Sequence, residues 1–174
     1  MSFSLIPDHA FRRITDIDTE FVRAKGITLL LLDLDNTVAP YNVKAPDESF
    51  TQWRELMRQN GVELFFVSNS HKPGRVEAFA KTLGTGFITD AGKPAPAAIR
   101  RAVSECGREL SQSALIGDQI FTDVLGANLA GISSIIVNPI SFSPTSWQNI
   151  LRRLRYRAEA PFRALCRDRT WRKK

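Results

Sequence analysis

The stretch ITLLLLDLDNT, residues 27–37, decides the fold class. It opens with an almost uninterrupted apolar run and turns polar at Asp33 and Asp35. The run is too short to span a bilayer, and it is typical of a strand in a parallel sheet that is covered on both faces. In such sheets the ligand site lies at the carboxyl ends of the strands. We therefore expect a functional site where this strand ends.

Apolar segments of strand length alternate with amphipathic segments of helix length along the rest of the chain. This alternation predicts an α/β fold with a parallel five-stranded sheet between two layers of helices. The predicted strands span residues 27–33, 62–67, 86–89, 114–116 and 133–137. The predicted helices span residues 47–59, 73–83, 94–106, 121–130 and 146–160.

The chain of 174 residues, 43% of them hydrophobic, fits one compact domain. We expect a core over residues 1–140, with an N-terminal extension, and a basic C-terminal segment over residues 141–174. Residues 151–174 carry ten Lys and Arg against two acidic residues, a net charge of +8, which leaves −2 for residues 1–150 because the total is +6. Residues 1–150 are thus near neutral, and residues 151–174 are strongly basic.

The N-terminus and the cysteines indicate the cellular compartment in which the protein is expected. The first ten residues lack the basic start and long apolar core of a signal peptide, so we expect a cytoplasmic protein. Cys106 and Cys166 are far apart in the sequence, and we expect both to be reduced and partly buried.

Polar side chains follow four of the predicted strands, all at the same edge of the sheet. Their convergence predicts a binding site. The residues concerned are Asp33, Asp35 and Thr37 after the first strand, Ser68 and Asn69 after the second, Lys93 after the third, and Asp118 and Asp123 after the fourth.

This set of residues suits phosphoryl transfer. A carboxylate can approach a doubly charged phosphate monoester only if a cation neutralises the phosphate oxygens. Mg²⁺ prefers oxygen ligands and is usually held by one or two carboxylates together with water and the substrate phosphate. We predict Asp33, Asp35 and Asp118 as its ligands.

The same residues can be given chemical roles. Asp33 is the predicted nucleophile, which forms an aspartyl-phosphate. Asp35 is the predicted general acid, and its carboxylate then activates the hydrolytic water. Ser68, Asn69 and Lys93 are predicted to bind the transferring phosphoryl group.

Supporting roles are predicted for two further residues, and each has a plainer alternative. Thr37 is expected to hold Asp33 through side-chain bonds to backbone. Asp123 is expected to orient Lys93 or a metal-bound water, although an Asp in a first helical turn also has a capping explanation. His71 is in reach of the site but fits an exposed loop, and His9 is expected on the surface.

The segments DLDNT (33–37), VSNS (67–70), KP (93–94) and GDQIFTD (117–123) resemble the four motifs of the haloacid dehalogenase superfamily in order and spacing. The resemblance covers residues 27–137 and implies a Rossmann-like core. The dehalogenase branch lacks an acid at the place of Asp35, so phosphatase activity is implied. LIPD (5–8), LDLDNTVAPYN (32–42) and the basic tail are similar to the YqeG family, subclass IIIA phosphatases related to mitochondrial phosphatidylglycerophosphate phosphatases.

The intervals between these motifs leave no room for an inserted cap domain, so we expect an open site. An open site suits a lipid head group or a macromolecule, while nucleotide and sugar phosphates stay as alternatives. The tail, residues 151–174, is expected to bind an anionic membrane surface, to bind nucleic acid, or simply to be solvated. Trp147 and Trp171 fit either a lipid interface or a packed core. A basic RNA-binding or assembly factor on the same scaffold is the competing class.

Overall fold

The computed structural model describes residues 3–70, 73–141 and 147–168, of which residues 147–153 are described as backbone only. The expectations for His71, for the side chain of Trp147, and for Trp171 with the end of the tail lie outside the described residues. The elements in chain order are β1 (His9–Ala10), α1 (Thr19–Ala24), β2 (Leu29–Leu32), α2 (Glu48–Gln59), β3 (Glu63–Val67), α3 (Pro73–Leu83), β4 (Gly86–Ile88), α4 (Ala97–Glu105), β5 (Ser113–Gly117), α5 (Leu125–Ala130), β6 (Ser133–Ile136) and α6 (Trp147–Ala164).

All pairings in the sheet are parallel, in the order β1-β6-β5-β2-β3-β4. The α/β fold is confirmed, and all five predicted strands are present. A sixth strand, β1, was not predicted because two residues are too few to show a period. Its first residue, His9, is 7% exposed and contacts Phe21 edge-on with ring centroids 4.9 Å apart, so the expectation of a surface residue is wrong.

The four leucines of β2 explain the three layers. Leu30 and Leu32 pack into an apolar cluster that includes residues of α1, α2 and α3. Leu29 and Leu31 pack into a second cluster with α4 and α5. All four are fully buried because side chains alternate along a strand and both faces of the sheet are covered.

Helix ends follow local signals in the sequence. Asp47 accepts a bond of 2.7 Å from the backbone N–H of Phe50 and so caps α2. The predicted helix 94–106 begins as α4 only at Ala97, and Pro94 and Pro96 precede that start. The predicted helix 121–130 begins as a π-helical turn, Ile120–Val124, before α5. The described residues contain no inserted cap domain.

The C-terminal part of the chain returns to the core. α6 runs four residues beyond its predicted end and contains Pro161. The backbone N–H groups of Arg167 and Asp168 then donate to the carbonyls of Pro7 and Asp8, at 3.0 and 2.8 Å. Arg167 also pairs with the Asp8 carboxylate at 2.7 Å. Part of the basic charge is therefore used within the fold.

Neither cysteine forms a disulfide; Cys166 is buried and Cys106 is half-buried, as expected. Within the described ranges, no helix combines the length and the apolar character needed to cross a bilayer.

Candidate active site

The central strand places three functional loops side by side. β2 pairs with β3 on one side and with β5 on the other. Asp33, Ser68 and Asp118 directly follow these strands, so they lie at the carboxyl edge of neighbouring strands. Adjacent strands are about 4.8 Å apart. The predicted convergence of these loops therefore follows from the strand order.

Three buried carboxylates form the centre of the site. Asp33, Asp118 and Asp123 are 6%, 7% and 2% exposed, and each offers an oxygen within 4.8 Å of the others. Gly117 makes this arrangement possible, since a Cβ there would lie 2.2 Å from the Asp123 carboxyl carbon. Among the described residues, these three carboxylates are the group of acidic, His or Cys side chains that lie close enough together to hold a metal ion.

Lys93 compensates part of this negative charge. Its Nζ donates to Asp123 Oδ1 at 2.7 Å and to Asp33 Oδ1 at 2.9 Å, with the lysine side chain 1% exposed. Burial disfavours the ammonium, yet the two carboxylates outweigh it and raise the pKa of Lys93 above its ordinary value. The residue is a fixed cation at the centre of the site.

Lys93 carries one positive charge beside three carboxylates, so negative charge remains in excess at the centre of the site. Burial, reinforced by Asp123 and opposed by Lys93, raises the pKa of Asp33 to about 7. Burial raises the pKa of Asp118 well above its usual range, with added repulsion from Asp123 and Asp33. Asp118 Oδ1 is buried and has no hydrogen-bond partner among the described residues. Clustered carboxylates with an unpartnered oxygen fit a hard divalent cation.

Asp35 lies outside this cluster. Its carboxylate pairs with Arg75, which also donates to the carbonyls of Pro40 and Val43 at 2.7 and 2.8 Å. The Asp35 side chain, predicted as a metal ligand, is thus paired with Arg75. The group of three neighbouring carboxylates contains Asp123 instead. Arg75 carries no motif signal in the sequence, since an arginine on an amphipathic helix is usually solvated.

Ser68 and Asn69, the two residues after β3, are both near the site, but their side chains form different hydrogen bonds. Ser68 is 1% exposed, and its hydroxyl accepts from the Ser70 N–H at 3.1 Å. The amide of Asn69 exchanges two hydrogen bonds with the backbone of Lys93, at 2.8 and 2.9 Å. The Asn69 side chain therefore holds the Lys93 loop in place.

Thr37 departs from expectation. It is 2% exposed, and its hydroxyl has no hydrogen-bond partner among the described residues. The predicted side-chain bond to backbone is absent from this part of the chain. The bend after β2 is instead made by backbone: Asn36 has a φ of 64°, and its N–H donates to the carbonyl of Ala39 at 2.9 Å.

Helix α6 supplies a wall that the motifs do not predict. Arg163 donates to the backbone carbonyl of Asp118 and, at 3.1 Å, to that of Val137. Glu159 is 1% exposed, accepts from Arg163 at 3.2 Å and from the Phe121 N–H at 3.3 Å. We call Glu159 and Arg163 the α6 clamp. Its sequence signal is a charged pair four residues apart within an amphipathic helix.

Comparisons with known proteins agree with this geometry. Residues 90–156 match a family model described as HAD-hydrolase-like. The chain is 33% identical over 138 residues to the probable phosphatase YqeG of Bacillus subtilis, covering 79% of this chain and 80% of the relative. It is 22% identical over 145 residues to the chloroplastic/mitochondrial phosphatidylglycerophosphate phosphatase 1 of Arabidopsis thaliana, covering 79% of this chain but 42% of that protein.

Solved structures show the same fold. A hypothetical protein of Xanthomonas campestris superposes with a TM-score of 0.54 at 19% identity, over 83% of this chain and 77% of the other. The cobalt-bound deoxy-D-mannose-octulosonate 8-phosphate phosphatase of Haemophilus influenzae superposes with a TM-score of 0.52 at 14% identity, over 65% and 69% of the two chains.

Fold and site together define a phosphatase-type core of the haloacid dehalogenase superfamily. Within that superfamily, the chain belongs to the YqeG family of phosphatases.

Proposed function

We propose that this protein is a Mg²⁺-dependent phosphomonoester hydrolase that works through an aspartyl-phosphate on Asp33, and that its substrate is phosphatidylglycerophosphate. The observation that carries the proposal is the buried group of Asp33, Asp118 and Asp123, with an unpartnered oxygen on Asp118 and one lysine for three carboxylates. Such an excess of buried negative charge is costly unless a cation binds.

In the first step, an oxygen of Asp33 attacks phosphorus and the ester P–O bond breaks. Asp35 gives its proton to the departing alcohol oxygen. Lys93 stabilises the charge on the transferring group because its ammonium already contacts Asp33. Bound Mg²⁺ would be held by Asp33 and Asp118, with Asp123 beside them, and would neutralise phosphate charge.

In the second step, water attacks the phosphorus of the aspartyl-phosphate. The carboxylate of Asp35 takes a proton from that water, and the P–O bond to Asp33 breaks to release inorganic phosphate. The contact with Arg75 orients the Asp35 carboxyl group for this step.

The lipid substrate is supported by the resemblance to the Arabidopsis phosphatidylglycerophosphate phosphatase and by the absence of a cap domain among the described residues. A site without a lid can receive a head group that stays attached to a membrane. In the basic segment 151–174, each cationic residue that is not used within the fold, as Arg163 and Arg167 are, would contribute about 1 kcal/mol near an anionic surface. We therefore propose a protein bound peripherally to anionic lipid.

Hydrolysis of p-nitrophenyl phosphate with Mg²⁺ tests the chemistry. The wild type should release nitrophenol, and Asp33→Asn should lower kcat by about a thousandfold or more, since the nucleophile is lost. Rapid acid quench during turnover of ³²P-labelled substrate should trap labelled protein in the wild type alone. Activity in Asp33→Asn equal to that of the wild type would refute the proposal.

Liposomes test the substrate. Phosphatidylglycerophosphate in anionic vesicles should be hydrolysed with a higher kcat/KM than nucleotide, sugar or nucleic acid-end phosphates. Truncation after Asp168 should reduce vesicle binding but leave hydrolysis of p-nitrophenyl phosphate intact. A preference for a terminal phosphate on RNA or DNA would replace the lipid with nucleic acid as the substrate.

A further inference from the structure

A second hollow opens at the same edge of the sheet as the carboxylates. It has a volume of about 490 Å³, within the range of small-molecule sites. Its walls come from the loops after β1, β2 and β6 and from the start of α2. They include Arg12, Arg13, Thr37, Phe50, Asn138 and Ile140. We call this hollow the arginine cavity.

The arginine cavity shares its walls with the site. Ile140 N–H donates to the carbonyl of Asn36 at 3.0 Å, and Asn138 N–H donates to that of Arg12 at 3.2 Å. Pro139, between them, lines both the cavity and a small groove beside Asp118. β1 is three strands from β2, which is about 14 Å along the edge. The cavity is therefore a lateral extension of the catalytic edge.

The cavity lining carries a net positive charge. Arg12 and Arg13 are exposed, and neither forms an ion pair within the described ranges. Asp47 also lines the cavity and keeps its negative charge, although its carboxylate caps α2. Phe50 and Val38, which are 2% and 6% exposed, form part of the apolar wall.

We infer that the arginine cavity binds the leaving group of the substrate, and that Arg12 and Arg13 bind a second anionic group on it. The inference rests on the proposed function and names its substrate class: a phosphomonoester of a short polyol that carries a phosphodiester at its other end. Guanidinium groups bind phosphate in a bidentate fashion. The apolar wall packs against the carbon linker, and Pro139, which lines both the cavity and the groove beside Asp118, makes the two anion sites neighbours.

Three soluble compounds isolate this contact from any membrane effect. Glycerophosphoglycerophosphate has both phosphates, p-nitrophenyl phosphate has the monoester alone, and glycerophosphoglycerol has the diester alone. The variants are Arg12→Gln, Arg13→Gln and the double variant. Arg101→Gln is the matched control, since Arg101 is an exposed arginine on α4, outside the cavity lining.

The double variant should lower kcat/KM for glycerophosphoglycerophosphate by about ten- to a hundredfold, since charge-assisted bonds are lost. Its kcat/KM for p-nitrophenyl phosphate should stay within about twofold of the wild type. Arg101→Gln should change neither. Calorimetry should detect glycerophosphoglycerol binding to the wild type and at least about tenfold weaker binding to the double variant.

Equal losses for both substrates would overturn the inference, as would a loss in Arg101→Gln that matches the loss in the double variant. These outcomes differ from failure of the proposed function, in which the wild type hydrolyses no monoester. In that case the calorimetry still decides, because it needs no turnover: no difference between wild type and double variant would refute the cavity's role.

Discussion

The two halves of the site hold their charges in different ways. In the strand-derived half, Lys93 meets Asp33 and Asp123 directly, and charge remains uncompensated. In the helix-derived half, the two residues of the α6 clamp form an ion pair with each other. Both also form hydrogen bonds with backbone groups in and near the Asp118 loop. The first half is electrostatically unsatisfied and suited to binding a cation and phosphate. In the second half the charges are paired, although Arg163 Nε has no hydrogen-bond partner among the described residues, and this half is suited to holding a loop in place.

Removing Lys93 should have the largest effect on stability. Lys93→Met leaves two carboxylates buried beside Asp118 without their cation, and loss of one partner from a buried pair costs about 3–5 kcal/mol. Urea unfolding at neutral pH without divalent ions measures the loss. Asp123→Asn in the same background should restore part of it; no restoration would show that Lys93 acts through packing alone.

Breaking the α6 clamp should have a smaller effect. Arg163→Met removes the ion-pair partner that lies 3.2 Å from the buried Glu159 and leaves Glu159 with the Phe121 N–H at 3.3 Å and Arg155 at 4.0 Å, at an expected cost of about 2 kcal/mol. The Asp118 loop loses its support, so Mg²⁺ affinity should fall about tenfold, as measured by titration of activity. The double variant Glu159→Gln with Arg163→Met should be more stable than Arg163→Met. If both variants bind Mg²⁺ as the wild type does, the clamp has no role in the metal site.

The strand-derived half should make the stability of the protein depend on pH, through Asp33. The pKa of Asp33 is raised from 3.8 to about 7 by burial, so between these values the folded chain binds more protons than the unfolded chain. Without divalent ions, the free energy of unfolding should therefore fall as pH rises from about 4 to about 7, by up to about 1.4 kcal/mol per pH unit per proton. Mg²⁺ should reduce this slope. Urea unfolding at several pH values, with EDTA or Mg²⁺, measures both slopes, and a rise in stability with pH in EDTA would contradict the assignment.

The smallest effect is expected at Arg75. Arg75→Lys keeps the charge near Asp35 but cannot reproduce contacts with the carboxylate and two carbonyls. We expect kcat to fall about tenfold through misplacement of Asp35, with KM nearly unchanged. Steady-state kinetics, with Arg101→Lys as control, test this. If Arg75→Lys has the same kcat as the wild type, then Arg75 does not position Asp35.

Much of the strand-derived half could be predicted from sequence, for a physical reason. Three of the four motifs come at the ends of the apolar strands β2, β3 and β5, Lys93 lies in the loop after β4, and parallel strands bring their carboxyl ends to one edge. Asp33, Lys93 and Asp118 are close together on that account. The partner of Asp35 could not be predicted, because Arg75 reaches it from a helix forty residues away.

One sequence expectation failed where the backbone already met the need, and one residue gained a second role. Thr37 was expected to bond the loop, but the turn is closed by backbone bonds around Asn36. Asn69 stays a predicted phosphate-binding residue, and its amide also pairs with the backbone of Lys93. Both residues are polar at the right place in the chain, and side-chain direction decides their role.

By itself, the sequence determined the α/β class, the central strand and the set of groups that gather at its end, because strand length, apolar continuity and the polar break are local properties. The sequence also placed Asp123 in this set, beside Lys93. The tertiary structure alone decided that α6 clamps the Asp118 loop, and that Arg12 and Arg13 share a cavity with the loop after β2. These contacts join residues that are distant in the chain. Their geometry depends on strand order and helix packing, which no local pattern encodes.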